Sequence, residues 1–176
     1  EFRRVLFRSI VAILAADHAI KDRKRFVALC RRAGEAAAKG AIVTLGVTPT
    51  FPATGYGYIR LADRFPGFDD VSKVAAFVEK PNEDVAKRYI SEGYLWNSGN
   101  FFFRADVMQA EIAAFEPEIA RAAAGAVAAS KMDLQFRVLD KSALESAPKK
   151  SIDYAVMEHT KHACVVPADI SWSDVE

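Results

Sequence analysis

The chain has 176 residues, 51% of them hydrophobic, with 24 basic and 23 acidic side chains and a formal charge of +1. That length can bury the core of one domain, and the near-balance of charge argues against a nucleic-acid-binding or membrane-binding surface. Cys30 and Cys164 lie far apart with no CxxC pattern, so they read as reduced thiols of a cytoplasmic protein and not as a disulfide framework or a zinc site.

Arg3, Arg4 and Arg8 precede the apolar residues 10–16, which superficially resembles a signal peptide. Arg8 crowds a very short apolar stretch, and no apolar run approaches the roughly 18 residues of a membrane span. Ile10-Val11-Ala12-Ile13-Leu14, leading to Asp17, reads better as a buried strand running into a site loop. A helix is predicted over 22–39: Phe26, Leu29, Cys30 and Ala33 share a face, and Gly40 closes it. Residues 41–47 form an apolar strand, and 48–54 a Pro-broken loop. Strands over 57–61 and 73–78 flank a turn rich in Pro, Gly and Asp. Asn82 can cap a helix over 83–91 that ends near Gly93. A strand follows at 100–103, then helices over 105–115 and 118–129 split by Pro117. Residues 151–159 read as helix and 163–166 as the last clear strand. The alternation predicts an α/β fold with a mostly parallel sheet covered by helices.

Several segments place polar groups at strand ends, where open α/β sheets bind ligands. In Phe77-Val78-Glu79-Lys80-Pro81 an acid and a cation end an apolar strand that Pro81 stops. Lys80 offers a mobile cation to a phosphate, and Glu79 can accept from sugar hydroxyls; by itself the pair is also what a surface ion pair looks like. Trp96-Asn97-Ser98-Gly99-Asn100-Phe101-Phe102-Phe103 sets two amides and a glycine at the mouth of a strand, and amides suit hydroxyl recognition. The three phenylalanines read as core. In Gly55-Tyr56-Gly57 the glycines let backbone approach a sugar ring, although an ordinary glycine turn fits as well. Asp17 follows a strand in Ala15-Ala16-Asp17-His18, where capping a turn is the plain alternative. His18 reads as structural, because no framed serine completes a triad. Asp153, in Ser151-Ile152-Asp153-Tyr154, either supports a site or complements the helix dipole.

Taken in order, these motifs resemble those of the sugar nucleotidyltransferases, and among them the mannose-1-phosphate guanylyltransferases. The resemblance covers nearly all of residues 10–175. It implies a three-layer α/β/α sandwich on a mixed, mostly parallel Rossmann-like sheet. It also implies nucleotidyl transfer: a mannose 1-phosphate oxygen attacks the α-phosphorus of GTP, pyrophosphate leaves, and GDP-mannose forms. By this resemblance Asp17 and Asp174 hold Mg²⁺ and Lys80 binds the sugar 1-phosphate. Gly55, Tyr56, Gly57, Glu79, Asn97 and Asn100 line the hexose, and Asp153 borders the site.

The sequence departs from the pattern in places. Ala15 stands where the resembled motif has Pro, and Ser171 and Glu176 stand where it has Gly. Nothing here matches the glycine-rich loop and basic signature that hold the nucleotide in those enzymes. The expectation is therefore a partial domain over 10–176, inactive alone, behind a non-native leader over 1–9. A metal-dependent nucleotide-sugar glycosyltransferase would usually show Asp-x-Asp, which Asp17-His18-Ala19 does not supply. A non-catalytic regulatory homologue would lose its metal ligands, whereas Asp17 and Asp174 are both present.

Overall fold

A computed structural model of the chain describes residues 8–174. Most of the expected leader, together with Val175 and Glu176 of the last motif, lies outside the described residues. In chain order the first half comprises β1 (Ile10–Ile13), β2 (His18–Ile20), α1 (Arg23–Ala38), β3 (Ile42–Val47), β4 (Tyr58–Arg64), β5 (Ser72–Val78) and α2 (Glu83–Ser91). There follow β6 (Leu95–Arg104), α3 (Ala105–Phe115), α4 (Pro117–Ala128), β7 (Lys131–Asp133), β8 (Phe136–Val138), α5 (Lys141–Glu145), a π-helical turn (Asp153–Met157), β9 (Ala163–Ala168) and β10 (Trp172–Asp174). The main sheet runs β1-β6-β3-β9-β5-β4, with β4 also paired to the start of β6.

Side chains alternate along the central strands and fill two cores. Val43 and Leu45 of β3, Phe102 of β6 and Cys164 and Val166 of β9 face one side, where Ala33, Ala36 and Ala37 of α1 cover them. Ile42, Phe101, Phe103, Ala163 and Val165 face the other, under Met108 of α3 and Ala155, Val156 and Met157 of the π-helical turn. Full burial of each Val, Leu or Phe stabilises by about 1.5–3 kcal/mol. The result is the expected three-layer α/β/α sandwich on a mixed sheet.

Asn82 and Pro117 act as predicted, while Asp22, expected as the first helical residue, is the cap. Asp22 caps α1 by accepting from the Arg25 amide at 3.0 Å, and Asn82 caps α2 through the Val85 amide at 2.9 Å. Pro117 stands at the start of α4, where its missing N–H costs nothing.

Four expectations are corrected. The strand expected to be buried at residues 10–14 is β1, which lies at the edge of the main sheet and leaves Ile10, Ile13 and Leu14 exposed. Among the described residues only β3 and β9 pair in parallel; the other pairings of the main sheet are antiparallel. A parallel connection needs about a dozen residues or more, and the turn between β4 and β5 is too short for one, so they form a hairpin. Strand β6 begins at Leu95, five residues before the predicted strand. Its polar segment stays in the sheet by bulging: β3 pairs Thr44 with Phe101 but Gly46 with Asn97, and Gly99 takes a φ of 70°. The helix predicted over 151–159 is a single π-helical turn.

Candidate active site

The loop after β1 carries Asp17 into β2, which pairs antiparallel with β10 and sets Asp174 opposite His18. One ligand atom from each of Asp17, His18 and Asp174 lies within 4.8 Å of the other two. Two carboxylates are hard oxygen donors, and at that spacing a small closing movement would bring both onto one divalent cation, so the donor set fits a hard divalent ion. Trp172 donates its indole N–H to Nδ1 of His18 at 3.2 Å. Asn100, expected along the hexose, is buried with both ends of its carboxamide engaged: Oδ1 accepts from the Ala15 amide at 3.2 Å, and Nδ2 donates to Ser98 Oγ at 3.2 Å. It therefore holds the Asp17 loop against the bulge of β6. A cleft of about 490 Å³ opens beside this loop, lined in part by Leu14, His18, Lys21, Phe26 and Asn100.

The second group of residues gathers where β4, β5 and β6 meet. Lys80 adopts a φ of 48°, and its amide donates to Tyr56 O at 3.2 Å. A lysine in left-handed backbone is held there by its surroundings. The Asn97 amide donates to Gly57 O at 2.8 Å, so the Tyr56–Gly57 backbone stands between Lys80 and Asn97. A Cβ at Gly57 would displace the Glu79 carboxylate end and stand 3.3 Å from the Asn97 Cβ, so glycine lets all three keep their places. Gly55 is exposed, with open space where a Cβ would stand.

A chain of polar contacts runs through the sheet to this point. Thr44 Oγ1 donates to Asn97 Oδ1 at 2.7 Å, and Asn97 Nδ2 donates to Asp153 Oδ1 at 3.0 Å. The Glu79 side chain is 9% exposed and that of Lys80 55%, with Lys80 Nζ 3.7 Å from Glu79 Oε1. Glu79 Oε2 is buried without a hydrogen-bond partner. Burial, with the Asp153 charge nearby, pushes the Glu79 carboxyl up to about 7 against the pull of Lys80. Burial also raises Asp153, against its hydrogen bonds. Two partly buried acids thus stand beside one half-exposed cation, an arrangement suited to hydroxyl donors and a phosphate.

Aromatic rings bridge the two groups. Tyr56 packs edge-on against Trp96 at 5.2 Å and Trp172 at 5.4 Å between centroids, and Trp172 packs against His18 at 5.1 Å. Phe51, 53% exposed, lies 5.0 Å from Trp96. The β2–β10 pair is thereby fastened to the Tyr56–Lys80 region.

The structure brings Tyr56, Gly57, Glu79, Lys80, Asn97 and Asp153 together, and separately Asp17 and Asp174. Sequence reasoning missed Thr44, whose signal was a polar residue inside the apolar run Ile42-Val43-Thr44-Leu45. It missed Glu158, which accepts from the Glu79 amide at 3.2 Å. It also missed the ring contacts of Trp172, which no local pattern announces.

A covered mixed sheet with carboxylates, amides and a cation gathered near its strand ends is the arrangement at which open α/β proteins bind ligands. Comparison with known sequences refines that class. The chain belongs to the nucleotidyl transferase family, whose profile matches residues 3–175. It is 46% identical over 167 residues to a mannose-1-phosphate guanylyltransferase of Salmonella muenchen, an alignment covering 94% of this chain and 35% of that protein. The chain therefore spans about a third of that curated relative's length. Among solved structures it superposes on one from Thermus thermophilus, described as a mannose-1-phosphate geranyltransferase, with a TM-score of 0.83 at 34% identity, over 94% of this chain and 46% of that one. A mannose-6-phosphate isomerase of Helicobacter pylori gives a TM-score of 0.84 at 28% identity, over 96% of this chain and 65% of that one.

Proposed function

We propose that the described residues carry the sugar-phosphate half and the metal carboxylates of an enzyme that makes GDP-mannose and pyrophosphate from GTP and mannose 1-phosphate. The observation that carries this reading is the convergence of Gly57, Glu79, Lys80, Asn97 and Asp153, from separate segments, on one pocket. The similarity to the guanylyltransferase of Salmonella muenchen supports guanine and mannose. Two unpaired cysteines, and no described helix long and apolar enough to cross a membrane, fit a cytoplasmic setting.

In this reading Lys80 binds the phosphate of mannose 1-phosphate, whose second pKa of about 6 leaves it mostly dianionic at neutral pH. No general base is needed. Glu79 reads hexose hydroxyls together with the one Nδ2 hydrogen of Asn97 that its bond to Asp153 leaves over, and that bond fixes the Asn97 carboxamide. Gly57 lets backbone and Glu79 stand close together, while Gly55 and Tyr56 edge the sugar. Asn100 acts indirectly, by holding the Ala15 amide and so the Asp17 loop. Asp17 and Asp174 would hold Mg²⁺, which when bound neutralises phosphate charge and orients the nucleotide. Catalysis is then in-line positioning and charge compensation.

The test is binding of mannose 1-phosphate followed by the fluorescence of Trp96 and Trp172. Lys80→Ala removes a charge-assisted contact worth about 1.5–3 kcal/mol, so affinity should fall roughly 10- to 100-fold. Unchanged affinity in Lys80→Ala would remove the phosphate from this pocket and sink the reading.

A further inference from the structure

Trp172 is fixed on both sides. Its strand pairs with β2 through Trp172↔Ile20, and its ring packs against Tyr56 at 5.4 Å. Its indole N–H, a donor with no acceptor capacity, points at Nδ1 of His18 at 3.2 Å, with the two rings at 82° to each other. The contact therefore requires a bare Nδ1. In an imidazole whose Nδ1 is bare, the ring proton sits on Nε2. One nitrogen of His18 is thus occupied by the Trp172 donor and the other by its own proton. Neither offers a lone pair, although His18 lies within 4.8 Å of the ligand atoms of Asp17 and Asp174.

We infer that Trp172 is a positioning residue that withdraws His18 from the metal's ligand set, and so keeps the site selective for hard, oxygen-seeking cations. The inference rests on the reading that Asp17 and Asp174 hold a divalent cation. With carboxylate oxygens alone the site suits Mg²⁺; a third, imidazole ligand at the same spacing would favour Zn²⁺ and its neighbours in the transition series. His18 then contributes an Nε2–H donor beside two carboxylates, which orients them or the phosphate they face. The bond that fixes this tautomer comes from β10, the same strand that carries Asp174. Docking of that strand therefore delivers one metal carboxylate and disarms the competing ligand together.

The test uses the whole chain and two readouts. The first is the ¹⁵N spectrum of the histidine rings without metal, with His18 assigned by its loss in His18→Gln. A bare Nδ1 and a protonated Nε2 are expected, and Trp172→Phe should mix the tautomers. A proton on Nδ1 in the wild type overturns the inference whether or not the variant folds. The second readout is calorimetric titration with Zn²⁺ alone and with Mg²⁺ alone. Trp172→Phe releases one hydrogen bond that competes with the metal, worth about 0.5–1.5 kcal/mol, so Zn²⁺ affinity should rise roughly 2- to 10-fold, with Mg²⁺ affinity unchanged. The double variant Trp172→Phe/His18→Gln should lose that gain. Zn²⁺ affinity unmoved by Trp172→Phe, while Asp17→Asn still abolishes Mg²⁺ binding, overturns this inference alone. Asp17→Asn without effect on either ion overturns the cation reading, and this inference with it.

Discussion

Glu79 ties the stability of the fold to pH through its burial. Its carboxyl is pushed from 4.5 to about 7, first by burial and then by the Asp153 charge. At about 1.36 kcal/mol per pKa unit, that difference amounts to about 3 kcal/mol. This is an upper bound, because the half-exposed Lys80 ammonium leaves the pocket open to solvent screening. The sign follows from proton counting. Between about 4.5 and about 7 the folded chain holds a proton on Glu79 that the unfolded chain has released. Stability from this residue is therefore fully present below the unfolded value, falls as pH rises through the window, and is flat above it. Glu79→Gln keeps the shape and cannot ionise. Urea unfolding followed by tryptophan fluorescence, at about pH 5 and about pH 8, should show a wild type that weakens towards the higher pH. The variant should be much flatter and, at the higher pH, the more stable protein. Asp153, also raised by burial, leaves a smaller slope of the same sign. A Glu79→Gln chain that keeps the full wild-type slope would refute the reasoning, as would a wild type that gains stability across the window.

Two further predictions concern the packing around this carboxyl. Gly57→Ala places a methyl group against Glu79 Oε2 and the Asn97 Cβ; overpacking of this kind costs about 1–3 kcal/mol, read as a lower urea midpoint, and the loss should shrink in Gly57→Ala/Glu79→Ala. Thr44→Val removes one of the two donors to Asn97 Oδ1, the Gly99 amide remaining, and should cost about 0.5–1.5 kcal/mol while weakening mannose 1-phosphate binding, because the amide that Asp153 holds is less firmly fixed; thermal unfolding and the binding titration check both parts.

Legibility in the sequence followed the range of the interactions. Caps and breakers act within a turn, so Asn82 and Pro117 placed their helices to within a residue. Strand direction depends on partners far along the chain, and alternation of strand and helix carries no direct information about it. The one usable signal was the short turn before Ser72, which only a hairpin can accommodate. The segment Asn97-Ser98-Gly99-Asn100 looked like a loop mouth because its composition is that of turns. The sheet keeps it by bulging, and the polar groups end up buried and mutually bonded. At the site, the motif residues were legible as chemistry but not as geometry. Tyr56, Glu79, Lys80 and Asn97 converge as expected, whereas Asn100 serves the Asp17 loop and His18 serves Trp172.

The two halves of the site are built on opposite principles, and the fold explains why they can coexist. The carboxylates proposed to hold the metal stand on or beside short elements: β2 and β10 have three residues each and, among the described residues, pair only with one another. Such a two-stranded ribbon is marginal alone. It is held by side chains, through Trp172 on Tyr56 and Trp96 and through Asn100 on the Ala15 amide. The sugar-phosphate half is the reverse. Its costly features are a lysine at φ 48°, a buried carboxylate oxygen without a partner, and a glycine whose Cβ would displace the Glu79 carboxylate end. These lie at the junction of β4, β5 and β6, braced from below by Thr44 within the fully buried strand β3. Strain of that kind persists only where the surroundings over-determine it, and a six-stranded sheet with helices on both faces does so. A ligand bridging the halves would meet a preformed acidic pocket at one end and an adjustable pair of carboxylates at the other. That division suits a reaction in which one substrate is held rigidly while charge on the other is gathered and released.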